Sequence, residues 1–147
     1  MKKYLVALSL FIMPSTLLAQ NADPSLPTIY RIDNIPYESQ STLFGNLKVV
    51  VLFGDPSKDG PYVQRIKFPP NMKIAPHAHG VHELKIVSLL GGELHFGYLG
   101  DKGEAMKVGN IWTESMGLVH WGLAGPEGAV IEIHGIGPVN SIPYKKD

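Results

Sequence analysis

The sequence predicts an all-β protein made of a single domain, and three observations support this fold class. Glycine and proline are frequent, with 16 and 12 copies in 147 residues, and they separate short apolar runs. No segment after residue 19 shows convincing helical periodicity, and no internal repeat is present. A chain of this length has room for one substantial core and too little for two.

Residues 1–19 have the composition of a cleavable bacterial signal peptide. Two lysines precede an apolar run, Tyr4–Met13, and small residues lead to a cleavage position after Ala19. A membrane anchor is the alternative interpretation, but the run is short for a bilayer and is broken by Pro14. We therefore expect a periplasmic or secreted protein that keeps no membrane segment after processing.

The mature chain is expected to contain a polar, proline-bearing linker over residues 20–28 and one domain over residues 29–147. Basic and acidic residues are equal in number, 13 each, so nucleic acid, which needs a basic surface, is not an expected partner. The chain has no cysteine and therefore no disulfides. Its core, together with any metal that it binds, must hold the domain together.

Short strand-like runs, each bounded by turn residues, follow one another along the domain. They cover residues 47–53, 62–68, 83–90, 93–99, 107–113, 118–123 and 129–136. Turn signals such as Gly54-Asp55-Pro56 and Gly91-Gly92 lie between them. This succession of short strands predicts a β-sandwich or a barrel-like jelly roll rather than an α/β sheet.

Three of the six histidines and a glutamate crowd into the segment IAPHAHGVHE, residues 74–83. Side chains alternate between faces along a strand, so His77 and His79 point to the same side and can share a metal ion. Glu83 has the same parity as His79, although a turn or bulge after His79 would break that relation. His82 has the opposite parity, and we expect it to point away from the metal.

A further ligand has to come from the second half of the chain, which offers His95, His120 and His134. His120 follows a turn at residues 115–117 that delivers it to the start of a new strand. Imidazole and carboxylate ligands without thiolates suit Mn, Fe, Ni, Co, Cu or Zn. Three imidazoles and one carboxylate on an octahedral ion leave positions open for a substrate oxygen or for dioxygen.

These two segments resemble the two signature motifs of the cupin superfamily. The first motif joins a glycine, a His-x-His pair, a glutamate and a second glycine, and the corresponding residues here are Asn71, His77, His79, Glu83 and Gly91. The second motif joins a glycine, a Pro-x-Gly turn and a histidine, and the corresponding residues are Gly109, Ser115, Gly117 and His120. The departures fall in turns, whereas all four ligand positions carry the expected residue types.

Residues 35 to 138 resemble more closely the small exported cupins related to the cupin half of zinc-dependent anti-sigma factors, through LFGDPSKDGPYVQRIKFPPNMKIAPHAH and VIEIHGIGP. The resemblance implies a cupin-type double-stranded β-helix, a jelly-roll barrel, that is frequently a homodimer. It implies one divalent transition metal ion, Zn, Fe, Mn or Ni, held by His77, His79, Glu83 and His120. The helical region of the anti-sigma factors is missing, so their regulatory role is not implied.

Three further residues are expected beside the ligands or in the pocket. Glu132 and His134 share one face of the last strand, and Trp121, next to His120, can line the pocket mouth. A strand histidine with no part in the site is an equal alternative for His134, and burial in the core is the alternative for Trp121. His95 is interpreted as a solvated position on the barrel.

The sequence therefore predicts a metal-dependent enzyme of oxygenase or isomerase type that acts on a small organic molecule, without assigning a catalytic residue. Two alternatives from other classes stay open, because one scaffold hosts many chemistries. The pocket can bind or sense a small ligand without turnover, or the ion can merely stabilise the barrel. A metal-free cupin pocket is the main competitor of the interpretation that these four residues hold a metal.

Overall fold

The computed structural model describes residues 28–80, 83–114 and 117–146. The predicted signal peptide and nearly all of the predicted linker lie outside these ranges, and so do His82 and Ser115. Within the described ranges, no helix has the length and apolar character needed to cross a membrane.

The described chain is almost entirely extended, which confirms the all-β prediction. A short 3-10 helix at Ile32–Asn34 precedes nine strands in the described ranges. These are β1 (Glu38–Thr42), β2 (Gly45–Phe53), β3 (Gly60–Phe68), β4 (Lys73–His79), β5 (Leu84–Tyr98), β6 (Glu104–Met106), β7 (Ile111–Glu114), β8 (His120–Gly137) and β9 (Ser141–Pro143).

Two long strands, β5 and β8, organise the sheet. They pair with each other in antiparallel register, and β8 pairs on its other side with β3 and β4. The remaining pairs extend the order to β1-β2-β3-β8-β4-β9, with β6 and β7 on β5. The described strands together form one curled antiparallel sheet.

Four runs that the sequence predicts as separate strands form two continuous strands. Residues 83–90 and 93–99 join in β5, and residues 118–123 and 129–136 join in β8. The β5–β8 register shifts near Gly92, whose positive φ of 68° bends the strand without ending it. A side chain at Gly92 would collide with the backbone of Gly128 on β8, so only glycine allows the two strands to approach there.

The core occupies the interior of the curled sheet. Val87 and Leu89 on β5 are fully buried, and Ile131 and Ile133 face them from β8. Burying each such side chain stabilises the fold by about 1.5–3 kcal/mol. Residues between them in sequence, such as Leu90, are exposed, which is the period-two pattern of a sheet with one buried face.

Candidate metal centre

Three histidines converge inside the barrel. His77 and His79 end β4, His120 begins β8, and all three are buried. The antiparallel register places His77 directly opposite His120, with ring centroids 4.3 Å apart. One ligand nitrogen from each ring lies within 4.8 Å of the other two. The structure thus brings together three of the four predicted ligands.

Backbone carbonyl groups orient all three rings. Each Nδ1 lies at hydrogen-bond distance from a carbonyl oxygen: His77 from Ala75 at 2.9 Å, His79 from Asn140 at 3.0 Å and His120 from Leu118 at 3.0 Å. A carbonyl can only accept, so in His77 and His120 the Nδ1 carries the proton and the Nε2 keeps its lone pair. Metal-binding histidines in proteins are typically oriented in this way.

Burial favours the neutral form of His77 and His120. It lowers the pKa of His77 to about 4, with a further contribution from the neighbouring His120, and it also lowers the pKa of His120. In the described ranges, His120 Nε2 is one of four buried side-chain polar atoms without a hydrogen-bond partner. An unpaired acceptor in such a place is costly unless a cation or donor faces it, so the donor set fits a metal ion.

Glu83 lies beside this group and is anchored from the backbone. Its Oε2 accepts hydrogen bonds from the amides of Gly80 at 3.0 Å and Asn140 at 2.8 Å. Its Oε1 lies 3.7 Å from His79 Nδ1 and 3.1 Å from Lys85 Nζ. The carboxylate is therefore held close to the histidines, while the ligand atoms that lie within 4.8 Å of one another come from the three imidazoles alone.

Two charged residues that the sequence pattern did not single out complete the site. Lys85 on β5 and Glu114 on β7 are cross-strand neighbours. Lys85 is buried, Glu114 is partly buried, and both lie against His79. Glu114 Oε2 lies 3.3 Å from His79 Nε2 and 3.8 Å from His120 Nε2. Strand parity carried a signal for Lys85, because it lies two residues after Glu83 and shares its face.

Lys85 and Glu114 influence each other's pKa values. Burial lowers the pKa of Lys85 although Glu114 and Glu83 both oppose the shift. Burial alone would raise the pKa of Glu114, but hydrogen bonding with His79 and the charge of Lys85 hold it at about 2. Glu114 is therefore ionised at neutral pH, and it adds a full negative charge on the Nε2 side of His79.

A cavity of about 580 Å³ opens onto the histidines. Most of its wall is apolar and comes from core residues such as Leu47, Phe96 and Ile133, whereas the three histidines, Lys85 and Glu114 line its polar end. A mostly apolar cavity of this size with a few converging polar groups is typical of small-molecule sites.

Of the three further residues predicted beside the ligands or in the pocket, one lines the cavity and two do not. Trp121 lines the cavity, and its ring stacks on His95, which is half-buried. Glu132 and His134 instead pair with each other at 3.0 Å on the face of β8 opposite to Ile131, a cavity residue. The structure does not bring these two residues to the histidine group, because strand alternation points them outward.

Comparisons with known proteins identify the fold. No family model matches the sequence, and no curated protein matches it either. A double-stranded β-helix protein from Klebsiella pneumoniae superposes with a TM-score of 0.60 at 18% identity, over 81% of this chain and 100% of that one. A cupin-like protein from Thermotoga maritima superposes with a TM-score of 0.55 at 20% identity, over 70% and 80%.

The chain has the cupin fold. The predicted double-stranded β-helix barrel is thereby confirmed, whereas the similarity to anti-sigma factors stays a prediction. An oxalate oxidase also superposes, with a TM-score of 0.54 at 20% identity, over 70% of this chain and 57% of that one. At such identities the likeness establishes the fold, and function has to be argued from the site.

Proposed function

We propose that this cupin is a metal-dependent enzyme that acts on a small organic molecule inside the barrel. The observation that carries the proposal is the convergence of three buried imidazoles whose Nδ1 atoms all face carbonyl oxygens. The protein would hold one divalent ion, Zn, Fe, Mn or Ni, through His77, His79 and His120. The sequence motif adds Glu83 as the carboxylate ligand. Its Oε1 has no hydrogen-bond partner in the described ranges, which supports this assignment.

A bound metal of this kind supplies Lewis-acid or dioxygen-activating chemistry, and both oxygenase and isomerase reactions use it. The protein's own contribution is to orient the substrate and to exclude water from it. Phe96 and Ile133 offer apolar surface for the body of the substrate. Trp112 also lines the cavity, and its buried Nε1 has no hydrogen-bond partner in the described ranges, so it can donate to a substrate oxygen.

The substrate class that this cavity supports is a small molecule with an apolar body and at least one acceptor oxygen. Trp112→Phe keeps the aromatic surface but removes the donor. We expect it to raise KM with a smaller effect on kcat, because the lost bond positions the substrate. The oxalate oxidase with the same fold supports the view that such a barrel can carry an enzyme active site.

Metal content tests the first part of the proposal. Protein purified without added metal is analysed by plasma mass spectrometry, beside His77→Ala, His120→Ala and the control His134→Ala, which changes an outward-facing histidine. We expect about one metal ion per chain in the wild type and the control, and loss in the other two. The proposal would be contradicted by a wild type that contains no stoichiometric metal and whose Tm does not change when metal is added.

Turnover separates an enzyme from a binding module. Oxygen uptake and product formation are measured on the metal-loaded protein across a panel of small carbonyl and hydroxy compounds. Ligands that raise Tm without any turnover favour the binding or sensing function. Coordination positions filled entirely by protein, together with lower stability after metal removal, favour a structural ion.

We also propose export and dimerisation. The pattern of residues 1–19 supports a periplasmic or secreted location, tested by N-terminal sequencing of the mature protein.

Exposed apolar residues on the outer face of β5, β7 and β8, including Ile86, Ile111 and Ile136, support a homodimer through that face. Light scattering should show a dimer that Ile111→Glu dissociates, and a monomeric wild type would refute this assignment.

A further inference from the structure

Lys85 contacts the atoms that the proposed metal ion would need, and the inference below rests on the proposed function. Its side chain is almost completely buried. Its Nζ lies 2.9 Å from each ring nitrogen of His79, Nδ1 and Nε2, and 3.1 Å from Glu83 Oε1. A metal ion bound to His79 Nε2 and Glu83 Oε1 would lie about 2.0–2.2 Å from each. Two cations cannot share these contacts, so binding of the ion requires the ammonium group to move.

Glu83 is built to release the ammonium without moving itself. Two backbone amides, from Gly80 and Asn140, hold its Oε2. Its Oε1 is paired with Lys85 by charge, yet it has no partner with hydrogen-bond geometry in the described ranges. Displacement of Lys85 would therefore leave one carboxylate oxygen oriented toward the histidines and free to bind a metal.

Glu114 offers the displaced ammonium another partner. It lies directly opposite Lys85 in the β5–β7 ladder, and its Oε2 is 3.8 Å from Lys85 Nζ. A small rotation of the lysine side chain can close this distance, because cross-strand neighbours already face each other. A buried ammonium is costly without a carboxylate nearby, so this second partner is what makes the displacement possible.

We propose that Lys85 is an internal competitor of the metal ion. Its ammonium contacts His79 and Glu83 when no ion does, and it moves to Glu114 when an ion binds. The site consequently binds its metal more weakly than the same ligands would without Lys85, and it exchanges the metal more readily.

Zinc affinity tests the competition. Chelator-treated full-length protein is titrated with Zn²⁺ against a competing chelator, as wild type and as Lys85→Met, which keeps the apolar stem and removes the charge. We expect Lys85→Met to bind Zn²⁺ about 10- to 100-fold more tightly. Lys73→Met is the matched control on β4, since Lys73 is exposed, and it should bind as the wild type does. Equal affinity of wild type and Lys85→Met would overturn the proposal.

A charge-balanced variant separates direct competition from a distant electrostatic effect. Lys85→Met/Glu114→Gln removes one charge of each sign, and it keeps the test valid if Lys85→Met alone does not fold. Direct competition predicts that the double variant also binds Zn²⁺ more tightly than the wild type. Unchanged affinity would show that Lys85 acts through net charge alone, and weaker binding would make Glu114 a ligand; either result overturns the proposal.

Failure of the proposed function would look different. In that case the wild type would not bind Zn²⁺ stoichiometrically, and neither would the Lys85 variants. If the wild type binds Zn²⁺ through His77 and His120 while the Lys85 variants match it, the metal site stands and only the competition is refuted.

Discussion

Two clusters of charged residues and histidines lie on opposite faces of the barrel wall, and they differ in how completely their polar groups are paired. The outer cluster joins Arg65, Glu132 and His134, and every charged group in it has a partner. The inner cluster joins Glu83, Lys85 and Glu114 to the three buried histidines, and it has more acceptors than donors.

The difference shows what makes a polar cluster a binding site. A surface group that already has hydrogen-bond or ion-pair partners does not require a ligand, and it contributes little to stability. Unpaired imidazole and carboxylate acceptors in a buried place favour a cation strongly, because the low dielectric strengthens every charge interaction there. The inner and outer faces should therefore respond differently to mutation and to acid.

The largest contrast is expected for metal binding. His120→Ala should lower the affinity for Zn²⁺ by more than about 100-fold, since it removes a ligand rather than a residue that orients one. His134→Ala, in the outer cluster, should leave the affinity unchanged. Competition titrations of both variants check this, and equal losses would show that the two faces do not differ in function.

Core packing should show the next largest contrast, at two adjacent positions of β5. Leu89 is fully buried and Leu90 is 41% exposed. Leu89→Ala should lower the free energy of unfolding by about 2–5 kcal/mol, whereas Leu90→Ala should change it by about 0.5 kcal/mol or less. Urea denaturation measures both, and a large loss at Leu90 would indicate that a partner covers the outer face.

As the pH falls, the inner cluster should lose its contribution to folding stability at a higher pH than the outer cluster. The pKa of His77 is lowered from 6.5 to about 4 by burial and by His120, so the unfolded chain binds a proton there more readily. The contribution of His77 is then present above pH 6.5 and is lost as the pH falls toward 4. Urea midpoints measured across this range should fall for the chelator-treated wild type and fall less steeply for His77→Ala.

The outer cluster should respond weakly and at lower pH. Burial opposes ionisation of Glu132, but hydrogen bonds from Arg65 and His134 outweigh it and lower the pKa of the carboxyl group. Its stabilisation is therefore present above the unfolded value of 4.5 and is lost as the pH falls through the lower folded value. Because the pair is partly exposed, Glu132→Gln should cost only about 1 kcal/mol or less at pH 7. A cost as large as that of Leu89→Ala would show that the outer cluster is structurally essential.

Much of the site could be predicted from local pattern. The His77-x-His79 spacing places two imidazoles on one face of a strand, and the turn before His120 delivers a third. Lys85 shares the parity of Glu83 and was open to the same reasoning. Glu132 and His134 show the limit of the method, because alternation indicates that two residues share a face but does not say which face is inside.

The sequence by itself determined the fold class, the turns and the residues able to bind a metal, because these depend on backbone preference and on short spacings. Only the tertiary structure decided which residues meet. His77 lies opposite His120 and Lys85 opposite Glu114 because strands distant in sequence pair in one register. That register is set by the burial of the whole inner face, and no single segment contains it.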